Sequence, residues 1–183
     1  MKQKKGFTVI ELLVVVGGIG LFSTLLFSLF GGARRSQVRL TDDLQMQTRV
    51  MHTQNSLVRI IREGTRIVLP RLGEESSSLC IIDKRGDLQF IFPVLDEELS
   101  ERFDRDFYKL QHYVVDIENF NFSSPSFDAG KLRTISQYVE RTTFKPSSGN
   151  SVSIGLHYAT ENREFQVIFE AGLMNSGEAD ENI

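Results

Sequence analysis

One cysteine, four prolines and three histidines in 183 residues leave few covalent or metal-based ways to hold a fold together. Cys80 has no partner in the chain, so an intramolecular disulfide is excluded, and with it a disulfide-held small domain or a cysteine-based zinc site. His52, His112 and His157 are far apart, in none of the short spacings that suit a metal ion. There is no basic surplus either: 21 Lys and Arg face 24 Asp and Glu, for a formal charge of -3. That balance argues against nucleic acid as a partner, because phosphate neutralisation needs clustered cations. A Gly-rich phosphate loop, a G-x-S-x-G elbow, an H-E-x-x-H pair and internal repeats are all missing. No catalytic residue, cofactor or metal ligand is therefore assigned, and an enzyme is not expected. The overall mixture, 40% hydrophobic and 25% charged, is that of a globular chain with room for one or two domains.

What is present is concentrated at the N-terminus. Residues 12–33 (LLVVVGGIGLFSTLLFSLFGGA) carry no charge. As a helix they span about 33 Å at roughly 1.5 Å per residue, matching a bilayer core of about 30 Å. The apolar region of a secretory signal is shorter, about 7 to 15 residues, and ends in a small-residue cleavage site. Two details are unusual for a plain anchor. Glu11 sits inside the apolar block, where an unpaired carboxylate costs roughly 2 to 3 kcal/mol or more, although snorkelling to the headgroups would relieve part of that. A short polar leader, MKQKKG, also meets Phe7 abruptly.

The run Lys4, Lys5, Gly6, Phe7, Thr8, Val9, Ile10, Glu11, Leu12, Leu13 followed by a long apolar stretch resembles the N-terminus of type IV prepilins, a family that includes the pseudopilins of type II secretion. The resemblance implies cleavage between Gly6 and Phe7 by a membrane-embedded prepilin peptidase, with methylation of the new Phe7 amine. It implies that the Glu11 carboxylate pairs with the N-terminal amine of a neighbouring subunit during assembly, gaining strength from the low dielectric. It also places the N-terminus in the cytoplasm and the remainder in the periplasm, anchored once in the inner membrane. The basic leader residues Lys2, Lys4 and Lys5 suit anionic headgroups, but Arg34, Arg35 and Arg39 follow the segment, so the charge count alone leaves orientation balanced. Gly17, Gly18 and Gly20 suit close helix packing, local unwinding, or the ordinary glycine content of a membrane helix.

Beyond the membrane segment, residues 34–66 contain no proline, and Leu40, Leu44, Met51, Val58 and Ile61, with Val50 and Leu57 alongside, recur at helical spacing. They predict an amphipathic stem packed on a following sheet and ended between Gly64 and Pro70. Leu79 and Ile81 alternate with Leu88, Phe90 and Phe92 about a turn at residues 83–87, a predicted hairpin. That turn contains Arg85, Gly86 and Asp87, an integrin-type tripeptide too short to be informative. The steps from Leu95 through Leu99, Phe103 and Phe107 to Leu110 predict a short helix with an acidic start at Asp96, Glu97 and Glu98, a trio without defined metal-ligand spacing. Val115, Ile117, Phe120 and Phe122 predict a further strand with a bulge, and residues 123–130 and 145–151 predict loops. A last hairpin pairs Val152, Ile154, Leu156 and Tyr158 with Phe165, Val167 and Phe169 across residues 160–163. His157 alternates with the apolar positions and is expected to be exposed.

The expected class is α+β, pilin-like: a long N-terminal helix, transmembrane then amphipathic, packed on an antiparallel sheet. The expected division is a leader at 1–6, membrane helix and filament core at 7–33, stem at 34–66, β-rich head at 67–174 and a polar tail at 175–183. The long stem and the closing stretch EFQVIFEAGLMNSG are similar to J-type minor pseudopilins and W-type minor pilins, whereas Glu11 separates the chain from K-type tip pseudopilins, which lack that carboxylate. The implied partners are the peptidase, other minor and major pilins or pseudopilins, the inner-membrane assembly platform and membrane lipid. The alternative is a membrane-anchored head that captures a surface or DNA for attachment or uptake.

Overall fold

The computed structural model of the chain describes residues 8–120, 127–160 and 163–174. The chain divides into two compact units, Met1–Thr48 and Arg49–Ile183. A helix, α1 (Val9–Glu63), supplies the described part of the first unit and opens the second. It contains no proline, and its threonines return their hydroxyls to the carbonyl four residues back, Thr24 to Gly20 at 2.8 Å and Thr48 to Leu44 at 2.8 Å, so they leave no polar group unpaired. Within the first unit, Val9–Arg34 is long and apolar enough to cross a membrane, and none of it is buried in the protein.

In the second unit the helix buries Thr53, Leu57, Ile60 and Ile61. At about 3.6 residues per turn these fall on one face. The predicted stripe is only half right. Leu57 and Ile61 belong to the buried face, while Leu40, Leu44 and Met51 are each 62% exposed and lie, with Val58, about a third of a turn away. A seven-residue step drifts about 20° and a four-residue step about 40° on a helix face, so both stripes keep helical spacing and spacing alone could not choose between them. Helix α1 ends at Glu63, three residues before the predicted limit of the stem.

The sheet is a seven-stranded antiparallel meander whose spatial order follows the sequence: β1 (Gly64–Leu69), β2 (Leu79–Asp83), β3 (Asp87–Leu95), β4 (Tyr108–Asp116), β5 (Arg133–Ser148), β6 (Ser151–Ala159) and β7 (Glu164–Gly172). Both predicted hairpins form, β2–β3 with Leu79 opposite Ile91 and β6–β7 with Ile154 opposite Phe169. Strand β6 alternates through much of its length: Val152, Ile154, Leu156 and Tyr158 are fully buried and His157 between them is half-buried, although Gly155 and Ala159 are buried as well. The helix is tied to this face by a buried polar chain in which Thr53 Oγ1 lies 2.9 Å from Ser136 Oγ, itself 3.3 Å from the Tyr158 hydroxyl.

Four segments depart from the sequence expectations. The helix expected through Leu110 is short, α2 (Glu97–Phe103). Asp104 adopts a left-handed φ of 51° and closes it, and the Ser100 hydroxyl takes the Phe107 N–H at 2.9 Å, which turns the chain into β4. Periodicity at Phe107 and Leu110 therefore reflects burial from a turn and a strand, not from one helix face. Val115 lies within β4, but Ile117–Asn119 is a 3-10 turn capped by Asp116; Phe122 lies outside the described residues. Residues 145–148, expected as loop, remain in β5. The Phe144 N–H donates to Ser76, away from β6, so two residues on Pro146 occupies a position whose missing N–H faces the same outer side. The long strand β5 was not anticipated at all: its ladder is broken by register shifts on both sides and by Tyr138 at φ 63°, with the Arg49 guanidinium 4.5 Å from the Tyr138 ring centroid.

Candidate functional site: the start of the long helix

Of the residues singled out in the sequence, Lys2, Lys4, Lys5, Gly6 and Phe7 lie outside the described residues. Glu11 lies in the first turn of α1. Its Oε2 accepts the Thr8 backbone N–H at 2.9 Å and the Thr8 hydroxyl at 3.0 Å, while the Glu11 N–H donates back to Thr8 Oγ1 at 3.3 Å. This reciprocal pair is a capping box, which satisfies two of the orphan donors at a helix start. The T-x-x-E spacing from Thr8 to Glu11 is the signal by which the sequence announces this cap, although it is embedded in an apolar run.

Both hydrogen bonds fall on Oε2. Among the described residues no partner is found for Oε1, so one oxygen of the carboxylate is unengaged at the head of a helix whose next turns, Leu12, Leu13, Val14, Val15 and Val16, are all more than half exposed. The helix start is thus internally capped and still able to accept a further cation or donor. A protonated amine approaching there would meet a full negative charge next to apolar surface, where the attraction is stronger than in water.

The other candidates resolve into local structure. Asp96, first of the acidic trio, caps α2 and forms an ion pair with Lys109 at 3.0 Å. Asp83 organises the β2–β3 turn: its Oδ1 takes the N–H groups of Arg85 and Asp87 at 2.7 and 3.0 Å, with Gly86 at φ 89°, so the Arg-Gly-Asp triplet is the turn itself. Burial pushes the Cys80 thiol up to about 12, an inert side chain in the sheet. No protein-family model, curated protein or solved structure matches the chain.

Proposed function

We propose that the protein is a membrane-anchored assembly subunit of the type IV pilin class, a minor pseudopilin or minor pilin, cleaved between Gly6 and Phe7 and incorporated near the tip of a filament it helps initiate. The observation that supports this most is the unburied apolar stretch Val9–Arg34 headed by a carboxylate with one oxygen open among the described residues. A simple anchor needs the first of these and has no use for the second. In this mechanism the segment rests in the inner membrane with the sheet-bearing unit in the periplasm. Glu11 meets the Phe7 amine of a neighbour, and the apolar helices then leave lipid to form the filament interior. The capping box refines the step: the helix start is already satisfied by Oε2, so the incoming amine pairs with Oε1 without unwinding the first turn.

The decisive experiment is the intact mass of membrane-extracted protein from cells with and without an active prepilin peptidase. Loss of residues 1–6 together with addition of one methyl group supports the assignment; an uncut chain in both samples refutes it and leaves an anchored head to be tested for surface or DNA capture. Glu11→Ala should leave cleavage intact and reduce incorporation into filaments, and normal incorporation would remove the carboxylate from the mechanism.

A further inference from the structure

Within the sheet-bearing unit, a cleft of about 700 Å3 lies between the last turns of α1 and the strands β3, β4 and β5. Its lining includes Arg59 and Glu63 from the helix, Gln89 and His112 from adjacent strands, and Arg133 at the start of β5. A chain of hydrogen bonds fixes the protonation pattern inside it. Gln89 Nε2 donates to Asp83 Oδ2 at 3.1 Å, so Gln89 Oε1 is the acceptor that faces His112 Nε2, also at 3.1 Å. Neutral His112 therefore carries its proton on Nε2 and a lone pair on Nδ1.

Two of the cations around this imidazole form no ion pair among the described residues, although the carboxylates Glu63, Asp83 and Asp87 share the cleft. Neither Arg59 nor Arg133 comes within 4 Å of a carboxylate among the described residues, and both are exposed. Burial holds His112 below the ordinary imidazole value of 6.5; Arg133 pushes it further, Glu63 opposes, and Arg59 adds to the depression. The two arginines, one from the helix and one from β5, thus both act on His112, and a cleft with low-dielectric sides focuses such a field.

We propose that this cleft binds an acidic peptide segment, with Arg59 and Arg133 taking its carboxylates and His112 Nδ1 completing the set of donors. Arginine forks suit carboxylates because they present paired N–H groups in the right plane. The volume is more than a lone small anion fills: it equals roughly twenty waters at about 30 Å3 each and falls within the range of about 300 to 1,000 Å3 usual for larger ligands. The lining is also mixed. Glu63 and Asp87 disfavour a compact polyphosphate, whereas a peptide carries its carboxylates apart and can set them toward the arginines with main-chain N–H groups toward Glu63 and Asp87.

Binding transfers one proton from solvent to His112 Nδ1, so affinity rises as the pH falls from neutrality through the imidazole range, until the ligand carboxylates protonate near about 4. The charged groups around His112 are Arg59, Glu63 and the titratable His52 on α1, Lys84, Arg85 and Asp87 on the β2–β3 turn, and Arg133 on β5; Asp83 reaches it through Gln89. This site is independent of the N-terminal processing proposed above, and its failure would leave that proposal standing.

The test is isothermal titration of the full-length chain in mild detergent with a blocked synthetic hexapeptide of alternating Glu and Gly, and in parallel with inorganic phosphate. The expected result is peptide binding about fivefold tighter near pH 6 than near pH 7.5, weakened about tenfold or more by Arg59→Gln or Arg133→Gln. His112→Gln should abolish the pH dependence while retaining much of the binding, His52→Gln should preserve that dependence, and Lys131→Gln, outside the cleft, should change nothing. Absence of peptide binding, or binding indifferent to both arginine substitutions, overturns the proposal; phosphate binding as tightly as the peptide overturns the peptide assignment.

Discussion

Replacing Gly64 by alanine sets two effects of opposite sign against each other at the junction of α1 and β1. Chain statistics favour the change: alanine reduces the entropy of the unfolded chain and stabilises by about 0.4 to 1 kcal/mol where the native backbone accepts it. Packing opposes it. A Cβ on Gly64 would lie 2.9 Å from Leu173 Cδ2, 3.0 Å from the Ile61 carbonyl oxygen and 3.2 Å from Ile81 Cδ1. The carbonyl belongs to the last turn of the helix and cannot yield, and Ile81 is fully buried. Overpacking of this kind costs about 1 to 3 kcal/mol, so packing wins and Gly64→Ala is expected to destabilise by about 0.5 to 2 kcal/mol. Urea unfolding of the full-length chain in mild detergent, followed by circular dichroism, measures this directly. The mechanism is tested by repeating the substitution in a Leu173→Ala background, where the nearest clash is gone and the cost of Gly64→Ala should fall by about 1 kcal/mol. A stabilising Gly64→Ala, or an equal cost in both backgrounds, would refute the reasoning.

Leu57→Ala removes a fully buried side chain from the helix face against the sheet and should cost about 2 to 5 kcal/mol in the same assay; a loss below about 1 kcal/mol would show that the face is not packed as described. Thr53→Val deletes a hydroxyl from the buried chain through Ser136 to Tyr158 and is expected to cost about 1 to 3 kcal/mol, with no effect if water replaces the contact. Native Cys80, with its thiol pushed up to about 12, should resist iodoacetamide at neutral pH and react upon unfolding, which mass spectrometry reads. For Asp83, burial alone would raise the carboxyl, but hydrogen bonds from Gln89, Arg85 and Asp87 and the Arg85 charge outweigh it and hold it below the ordinary value of 3.8. Its contribution is therefore present above the unfolded value and lost as pH falls through the lower folded one, so Asp83→Asn should flatten the acid limb of the stability profile; an unchanged limb would contradict this.

The parts of the fold that were legible in advance are those where one local signal suffices. Hairpin β6–β7 alternates apolar and polar residues because one face of each strand is covered, and the other hairpin, β2–β3, turns on Asp83 and Gly86, residues suited to that geometry. The capping box was equally local, Thr8 and Glu11 three residues apart. Strand β5 was invisible for the converse reason. Its burial follows contacts to β4, β6 and the Ser76 segment, with the register shifting twice against β4 and twice against β6, so no strict alternation survives in the chain. In α2 the step of four ran on past Asp104 because burial of Phe107 and Leu110 by a sheet happens to mimic a helix face.

By itself, the amino-acid order determines a stretch at Val9–Arg34 that water cannot solvate cheaply, a carboxylate at its head, an α+β composition and the two hairpins, since each depends on residues close together in the chain. The tertiary structure decided which of two apolar stripes on α1 is buried, where β5 runs past Pro146, and that His112, Arg59 and Arg133, distant in sequence, share one cleft. Those outcomes depend on which surfaces meet, and the free energy of meeting is a property of pairs of elements that no single segment contains.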